Sequence, residues 1–484
     1  MALFNILPVV QILGFLLILL SFLMTLPVNL LMFGETPDWL AFVKSASICF
    51  GVGLLCFLSA GRKRHALKQR QMFILTVSAW IFIPLFSSLP LLLSDLKLSV
   101  TDAFFESISG VTTTGSTVLS GLDQLPDDIL LWRSIMQWMG GIGIIGMAVA
   151  ILPFLRIGGM RLFATESSEW AEKAVPRTNR LARGLVFSYL ILTAGCISVY
   201  WLLGMDLFNA LNHALTTVST GGYSTSDSSM GQYDQLSILF ASTIFMMLGG
   251  IPFFLFVRLL NGQVQPLLRD QQIHFFLKFL LVIASVIAFY RIVTDGTVPL
   301  DAFVHALFNV TSVVTTTGYA SQDYSLWGPF VIVLFFFLTF VGGCSGSTSG
   351  GMKMFRFQLS MLLLREQVLR LLHPNAVIAR HYNGRIISDE IVASSVAFSF
   401  IFLATLAVVA AILALLGLDL TTSLTGAATA LANVGPGLGD IIGPAGNFQP
   451  LPDAAKWVLM MAMLLGRLEL LSVFVMFSPQ FWRS

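Results

Sequence analysis

Four short stretches carry the chemistry open to this chain. Val111-Thr112-Thr113-Thr114-Gly115, Ser219-Thr220-Gly221, Thr316-Thr317-Gly318 and Asn433-Val434-Gly435 repeat one idea: a small polar residue, then Thr or Val, then Gly. Their glycines stand 106 (115 to 221), 97 (221 to 318) and 117 (318 to 435) residues apart. Recurrence at so long a period marks a repeated unit. Each strip offers backbone oxygen rather than reactive side chains. Glycine admits torsions that turn carbonyls toward a common axis, and four carbonyl strips can replace the hydration shell of a bare alkali cation. The candidate ion ligands are therefore Thr113, Thr114 and Gly115; Ser219, Thr220 and Gly221; Thr316, Thr317 and Gly318; and Asn433, Val434 and Gly435. The competing explanation is close packing of membrane helices through small residues. The polar runs Thr112-Thr113-Thr114 and Thr315-Thr316-Thr317 argue against it, because packing needs small residues, not a polar run opening into Gly.

Nine residues ahead of the glycines stand Glu106, Asn212, Asn309 and Gly426. The first three are polar at a buried depth. Either they brace the strips by hydrogen bonds, or they cap and pair within their own helices.

The elements that hold these strips follow from hydropathy. The chain has 484 residues, 56% apolar and 11% charged, against roughly 25% charged in soluble domains. A span needs about 20 apolar residues to cross about 30 Å of hydrocarbon. Two leading spans are expected near 9–33 and 38–60. A triplet of span, short segment and span then recurs four times: 72–95, 102–114 and 128–155; 181–204, 206–220 and 234–260; 272–293, 301–317 and 327–342; 389–417, 419–434 and 451–477. The expected fold is an all-α polytopic membrane protein with ten full spans. Two leading helices precede four helix–pore-loop–helix repeats in pseudo-fourfold symmetry around one pore. The units divide at 1–71, 72–180, 181–271, 272–388 and 389–484. Each holds an even number of crossings, so all four share one orientation, as parallel repeats about an axis along the membrane normal do.

Each short segment opens with an acid: Asp102, Asp206, Asp301 and Asp419. Asp caps a helix start and complements its positive end, so the negative end of the segment points at mid-membrane, where a cation gains from it. Non-helical backbone at that depth is tolerated only when buried in protein or lining a wet cavity.

The joints between units are basic: Arg156, Arg161, Lys173, Arg177, Arg180 and Arg183; Arg258, Arg269 and Lys278; Lys353, Arg356, Arg365, Arg370, Arg380 and Arg385. Arg62-Lys63-Arg64-His65 follows the second span. The opposite side has chiefly Lys97, Arg133, Arg291 and Lys456. This asymmetry places the joints and both termini in the cytoplasm. Asp123, Asp127, Asp128, Asp227, Asp234, Asp323 and Asp440 then make an acidic outer rim that concentrates cations. Net charge is +2, which suggests no polyanionic partner, nucleic acid included. Cys49, Cys56, Cys196 and Cys344 form no CxxC pair and support neither a disulfide framework nor a zinc site. An intramembrane enzyme would need clustered His, Asp, Glu or Ser nucleophiles at mid-membrane, and none are clustered.

Two features depart from the repeat. The second helix of unit three is interrupted by residues 342–351, with Gly342, Gly343, Gly346, Ser347, Gly350 and Gly351. Fifteen residues from Trp327 to Gly342 make about 22 Å of helix, so the break lies within the hydrocarbon and only this unit has one. It is the expected gate. No Gly-Lys-Ser/Thr follows, which excludes a phosphate-binding loop. Arg467 lies about 24 Å into the last span by helical rise. An intramembrane charge is a functional candidate: it either faces the pore below the strips or forms an internal pair, for instance with Glu469. His213 and His305 are expected to be neutral packing residues. Gly140, Gly141, Gly143 and Gly146 form a helix-packing face, and Trp132, Trp138, Trp327 and Trp457 are expected interfacial anchors. The amphipathic run Met354 to His373 lies on the cytosolic surface and docks a partner or lipid headgroups.

The strips TTTGST, STGGYS, TTTGYAS and NVGPGLG, in four units after two leading spans, resemble the bacterial potassium-uptake subunits of TrkH type in the Trk/Ktr/HKT superfamily. The resemblance covers essentially the whole chain. It implies a K⁺-conducting pore with K⁺ as the transported ion and no organic cofactor on this chain. It also implies a homodimer in the bacterial inner membrane, a loop gate under the filter, an arginine in the last helix, and a cytosolic nucleotide-binding subunit of TrkA type. In this superfamily a serine at the first filter glycine goes with Na⁺ preference, and here that position is Gly115. Asn433-Val434 departs from the usual Ser/Thr-Thr, so modest selectivity is expected. A Na⁺- or H⁺-coupled symporter and a less selective K⁺/Na⁺ pathway are the alternatives.

Overall fold

The computed structural model describes residues 6–30, 37–59, 67–150, 176–375 and 378–482. The basic residues Arg62, Lys63, Arg64, His65, Arg156, Arg161 and Lys173 lie outside the described residues, as do both chain ends. Among the described residues the protein is an all-helical polytopic membrane protein apart from two pairs of two-residue strands.

The leading pair is α1 (Leu7–Leu23), continued by α2 (Leu26–Leu30), against α3 (Trp39–Ser59). They meet at glycines. A Cβ on Gly14 would lie 2.6 Å from the Gly53 carbonyl oxygen, and one on Gly53 would lie 2.9 Å from that of Gly14. Small residues let two membrane helices approach backbone to backbone.

Unit one is α4 (Gln69–Ser87), α5 (Leu89–Leu93), the short helix α6 (Val100–Val111) and α7 (Asp127–Ala150). Unit two is α8 (Pro176–Leu202), the short helix α9 (Leu207–Val218), α10 (Leu236–Gly249) and α11 (Phe253–Leu260), with α12 (Gln265–Arg269) leading out. Unit three is α13 (Gln271–Asp295), the short helix α14 (Pro299–Val314), α15 (Pro329–Leu338), the strands β1 (Val341–Gly342) and β2 (Met352–Lys353), and α16 (Met354–Leu372). A hairpin of β3 (His381–Tyr382) and β4 (Arg385–Ile386) follows. Unit four is α17 (Asp389–Leu415), the short helix α18 (Leu420–Ala432), α19 (Asp453–Arg467) and α20 (Leu471–Phe477), with α21 (Pro479–Trp482) at its end.

The short helices start as their sequences dictate, with one adjustment. Asp206 and Asp419 are N-caps, each accepting at 3.0 Å from the backbone N–H three residues on. In unit one the cap is Ser99, which accepts from Asp102 N at 3.0 Å, and in unit three the helix enters through Pro299. Asp102 and Asp301 thus sit inside the first turn, where their charge still complements the positive helix end. Each short helix packs on the first helix of its own unit. Between units, α9 packs on α7, α14 on α10, and α6 on α19, so unit four closes back on unit one.

Seven described stretches are long and apolar enough to span: the leading two, the first helix of each unit, and α7. The other three second helices are broken, which corrects the expectation of ten full spans and of a single interruption. α10 and α11 bend by 93° at Gly250-Ile251-Pro252, where proline withdraws a donor and clashes with the preceding turn. α15 is 10 residues long and ends at Leu338, earlier than residue 342. α19 ends at Arg467, and the chain turns at Glu469 (φ 54°) and Leu470 (φ 36°) before α20.

Burial also revises the tryptophan anchors. Trp132 and Trp327 are buried inside the protein, with Trp132 donating to the Ser87 carbonyl at 3.0 Å, whereas Trp457 is exposed. The run from Met354 is helix α16, whose buried face includes Phe355, Leu359 and Glu366. Phe355 and Leu359 cluster with Tyr382, Ile387, Ile391 and Val392. Glu366 pairs with Arg370 at 2.6 Å and with Arg380, tying the helix to the hairpin.

Candidate functional site

Each short helix ends in the same way. Its chain turns through a left-handed residue, at Thr113 (φ 53°), Thr220 (φ 51°), Thr316 (φ 57°) and Asn433 (φ 56°). The next residue donates its N–H five residues back: Thr114 to Ser109, Gly221 to Thr216, Thr317 to Ser312 and Val434 to Thr429, at 2.8, 2.9, 2.8 and 3.0 Å. A glycine of positive φ follows: Gly115 (86°), Gly222 (78°), Gly318 (81°) and Gly435 (112°).

This corrects the register of unit two by one residue. The glycine that needs its torsion is Gly222, not Gly221, and the strip equivalent to Thr113-Thr114-Gly115 is Thr220-Gly221-Gly222, with Ser219 just ahead of it. The pairs Gly222-Tyr223 and Gly318-Tyr319 carry the correct alignment in the sequence itself.

The four strips lie against one another in chain order and close. A Cβ on Gly115 would sit 2.2 Å from the Gly221 oxygen, one on Gly222 1.8 Å from the Thr317 oxygen, and one on Gly318 2.0 Å from the Val434 oxygen. One on Gly435 would sit 2.9 Å from the Thr114 oxygen. The carbonyl preceding each glycine therefore abuts the glycine of an adjacent unit. Side chains stitch the same neighbours. Asn433 Nδ2 donates to Thr114 Oγ1 at 3.0 Å and Ser116 to the Gly435 oxygen at 2.8 Å. Tyr223 donates to the Glu106 oxygen at 2.8 Å, and Tyr319 bonds the Thr216 hydroxyl.

The residues ahead of the strips divide. Glu106 accepts from Thr117 Oγ1 and Val118 N at 3.0 Å and pairs with buried Arg133 at 2.8 Å. Asn309 accepts from Ser321 N at 3.2 Å and donates to Ser321 Oγ at 2.9 Å. Both therefore reach the segment just beyond their strip. Asn212 does not: it accepts from Ser134 at 2.7 Å and donates to the Phe208 oxygen at 2.9 Å. With unit two re-registered, nine residues before Gly222 stands His213, which bonds Ser224 Oγ at 3.1 Å and the Asn209 oxygen at 2.9 Å. His213 is buried, and it takes the bracing place expected of Asn212. In unit four Gly426 has no side chain to use, and its neighbour Thr425 accepts from Leu438 N at 3.1 Å.

The Gly/Ser loop lies directly against these strips. Gly342 pairs with Lys353 and Val341 with Met352 in a short parallel ladder, which pinches the loop at its base. Gly350 N donates to Thr316 Oγ1 at 2.6 Å, and a Cβ on Gly350 would sit 2.4 Å from the Ala432 oxygen. Thr348 Oγ1 meets Thr220 Oγ1 at 3.1 Å. The loop also fills the break in unit two: Cys344 N donates to the Gly250 oxygen at 2.9 Å, Thr348 Oγ1 to the Gly249 oxygen at 3.0 Å, and Phe253 N to the Gly346 oxygen at 3.0 Å. Gly343 sits over the same break, where a Cβ would be 3.1 Å from the Gly250 oxygen. Ser347 closes on the Cys344 oxygen at 2.6 Å, and Gly351 completes the turn at φ 65°.

Arg467 is buried and donates from Nη1 to the Thr348 oxygen at 2.9 Å, while its Nε and Nη2 have no hydrogen-bond partner among the described residues. Glu469, in the turn beyond the end of α19, pairs instead with Arg356 at 2.9 Å. Arg467, Lys353, Ser347, Gly350 and Gly351 share a cavity beside the loop with Phe398 and Phe402 of α17.

Sequence reasoning missed Gln137 of α7, which is buried and donates to the Gly221 oxygen at 2.6 Å while accepting from Tyr223 N at 2.9 Å. Nothing local in the sequence marks it. Asp227, one of the acids expected at the outer rim, accepts from Gly121 N at 2.8 Å and Leu122 N at 3.2 Å, so it ties units two and one together. Asp128, also expected on that acidic rim, is instead fully buried under the Asp38 backbone. Lys456 is paired with Asp102 at 2.7 Å and Arg133 with Glu106, so two of the four cations expected on the outer side are neutralised by acids. Gly140 and Gly141 serve close packing, with Cβ positions 1.9 Å from the Val111 oxygen and 2.5 Å from Tyr189 Oη, while Gly146 meets nothing. Among the described residues, no group of three or more His, Cys, Asp or Glu side chains is placed to hold a metal.

Comparison with known proteins places this geometry. Residues 40–484 match the family model described as TrkH, cation transport protein. The chain is 50% identical over 478 residues to the Trk system potassium uptake protein TrkI of Halomonas elongata, covering 99% of this chain and 97% of that one. It is 37% identical over 486 residues to the Trk system potassium uptake protein TrkH of Vibrio parahaemolyticus, covering 98% and 99%. The crystal structure of the potassium transporter TrkH from Vibrio parahaemolyticus superposes with a TM-score of 0.91 at 35% identity, covering 99% of this chain and 100% of that one.

Proposed function

We propose, from the premise that this chain belongs to the TrkH family of cation transport proteins, that it is a channel-like pathway for K⁺ uptake across the bacterial inner membrane. The protein is a transporter and not an enzyme, and the relatives it matches along their full length are named for potassium uptake. In this proposal the four units stand in pseudo-fourfold arrangement around one pore. Thr113-Thr114-Gly115, Thr220-Gly221-Gly222, Thr316-Thr317-Gly318 and Asn433-Val434-Gly435 line its filter. The observation that carries the reading is the closed cycle in which the carbonyls of Thr114, Gly221, Thr317 and Val434 each abut a glycine of the adjacent unit. Carbonyls so held substitute for the water shell of a bare cation. The four short helices add the partial negative charge of their C-terminal ends.

A K⁺ ion that has crossed the filter meets the loop 342–351, then Arg467. Both must move aside or be screened for the ion to reach the cytoplasm, and they form the gate. The inside-negative potential supplies about 2.3 kcal/mol per charge per 100 mV, enough to drive uptake without chemistry. The basic joints support a cytoplasmic position for the loop side and both termini. Two such chains form the dimer, and a separate nucleotide-binding ring of TrkA type acts on the cytosolic face.

The test is reversal potential in liposomes under opposed K⁺ and Na⁺ gradients. The expected potential follows K⁺. A potential that tracks H⁺ or Na⁺ together with K⁺ supports coupled symport, equal permeability supports a non-selective pathway, and no K⁺ conductance rejects the reading.

A further inference from the structure

Three of the four strips carry a side chain just before their glycine: Thr114, Thr317 and Val434. The second carries none, because Gly221 stands there. Gly221 does not adopt a positive φ, so its backbone is open to any residue. Space, not torsion, is what demands glycine. A Cβ at Gly221 would lie 2.4 Å from Gln137 Cδ, 2.5 Å from its Oε1 and 2.9 Å from its Cγ. The volume that Thr114, Thr317 and Val434 fill from within their own strips is filled in unit two from the neighbouring helix α7. The inserted group is a polar amide that straddles Gly222. It donates to the Gly221 oxygen at 2.6 Å and accepts from Tyr223 N at 2.9 Å. The Gly221 oxygen is one of the four that close the ring.

Gln137 is fully buried, and the face of α7 that presents it is specialised along its length. Arg133, one turn before, donates to the Ser224 oxygen at 3.0 Å and pairs with Glu106. Gly140, one turn after, gives way to the Val111 oxygen. Positions 133, 137 and 140 share one helix face, so α7 addresses units one and two at three successive levels.

We propose that Gln137 is a positioning residue that completes the second strip and sets the ion preference of the Gly221 carbonyl. It rests on the K⁺ filter reading. An oxygen already bound by an N–H at 2.6 Å is held against displacement and yields part of its lone-pair density to that donor. The second strip is therefore the stiffest and least basic of the four, and the amide of Gln137 tunes it.

The experiment uses the full chain in liposomes and reads the K⁺/Na⁺ permeability ratio from reversal potentials. Gln137→Met keeps the volume and removes both hydrogen bonds. The expected result is a ratio lower by roughly tenfold, the scale of losing a buried hydrogen-bond pair, with conductance retained. Gly221→Thr alone drives a side chain into Gln137 and abolishes selective flux. Gly221→Thr combined with Gln137→Ala gives unit two the side chain the others carry and recovers conductance, because volume-conserving exchanges are tolerated best, but it lacks the amide and keeps the roughly tenfold lower ratio of Gln137→Met. A Gln137→Met protein with the parental ratio, or a double variant that conducts with the parental ratio, overturns the proposal. The double variant also decides the matter if Gln137→Met does not fold. The unaltered protein in the same assay separates the two levels: absence of K⁺ preference there rejects the filter reading, while intact preference with no response to Gln137 rejects this assignment.

Discussion

Replacing Gly115 with serine separates two costs that usually arrive together. Gly115 has φ 86°, and a Cβ there would sit 2.2 Å from the Gly221 oxygen. The left-handed torsion by itself costs about 1–2 kcal/mol for a residue with a Cβ. The contact costs more in function than in stability. Real Cβ atoms keep at least 3.0 Å from such neighbours, so the Gly221 oxygen must retreat by roughly 1 Å. On the proposed filter reading, one carbonyl of the ring then no longer reaches a dehydrated ion, and the preference for K⁺ over Na⁺ falls with the carbonyl cage that is lost. A loss of about 1.4 kcal/mol in that preference is tenfold in the permeability ratio. Gly121→Ser is the internal control: its φ is 70°, and nothing lies within 4 Å of its Cβ. It suffers the torsional cost without moving a carbonyl of the ring. Reversal potentials in mixed K⁺ and Na⁺ should show the ratio falling about tenfold for Gly115→Ser and holding for Gly121→Ser, with thermal melts lowered in both. A Gly115→Ser protein that keeps its ratio, or an equal loss in Gly121→Ser, refutes the link between steric contact and selectivity.

Arg467→Ala removes a charged donor from the Thr348 oxygen, worth about 1.5–3 kcal/mol. Flux at saturating K⁺ should rise by roughly tenfold or more, and unchanged flux with unchanged block ends that role. Glu106→Gln strands buried Arg133 without a counter-charge, a defect of about 3–5 kcal/mol; a melting temperature equal to that of the parent would contradict it. His213→Ala should raise the K⁺ concentration for half-maximal flux because it releases Ser224 behind the second strip. Asn212→Ala should lower the melting temperature and leave that concentration alone; the reverse pattern would restore the original register.

The spans and strips were legible because hydropathy and a fourfold recurrence act over many residues at once. The register of unit two was not, because Ser219-Thr220-Gly221-Gly222 offers two glycines, and counting from the first shifts the unit by one. The Gly-Tyr pairs at 222–223 and 318–319 hold the correct alignment. The bend in unit two was readable in Gly249, Gly250 and Pro252. The break in unit four was not, since Leu468-Glu469-Leu470 contains no residue that stops a helix. Its turn accompanies the Arg356–Glu469 ion pair, a contact 113 residues distant in sequence. Gln137 was hidden for the same reason: its partners lie 84 and 86 residues away, and its meaning depends on a missing side chain in another unit.

If the loop is the gate proposed above, its docking into the break of unit two constrains how the path opens. The Gly249 and Gly250 oxygens were freed when the helix bent, and Thr348 and Cys344 now answer them, while Phe253 leans on the Gly346 oxygen. Withdrawing the loop strands those groups, each at about 1–3 kcal/mol if nothing replaces it. In a dry crevice that sum forbids movement; with solvent molecules entering, it nearly vanishes. Opening and wetting are then a single event, and whatever pulls the loop aside must let water follow it in.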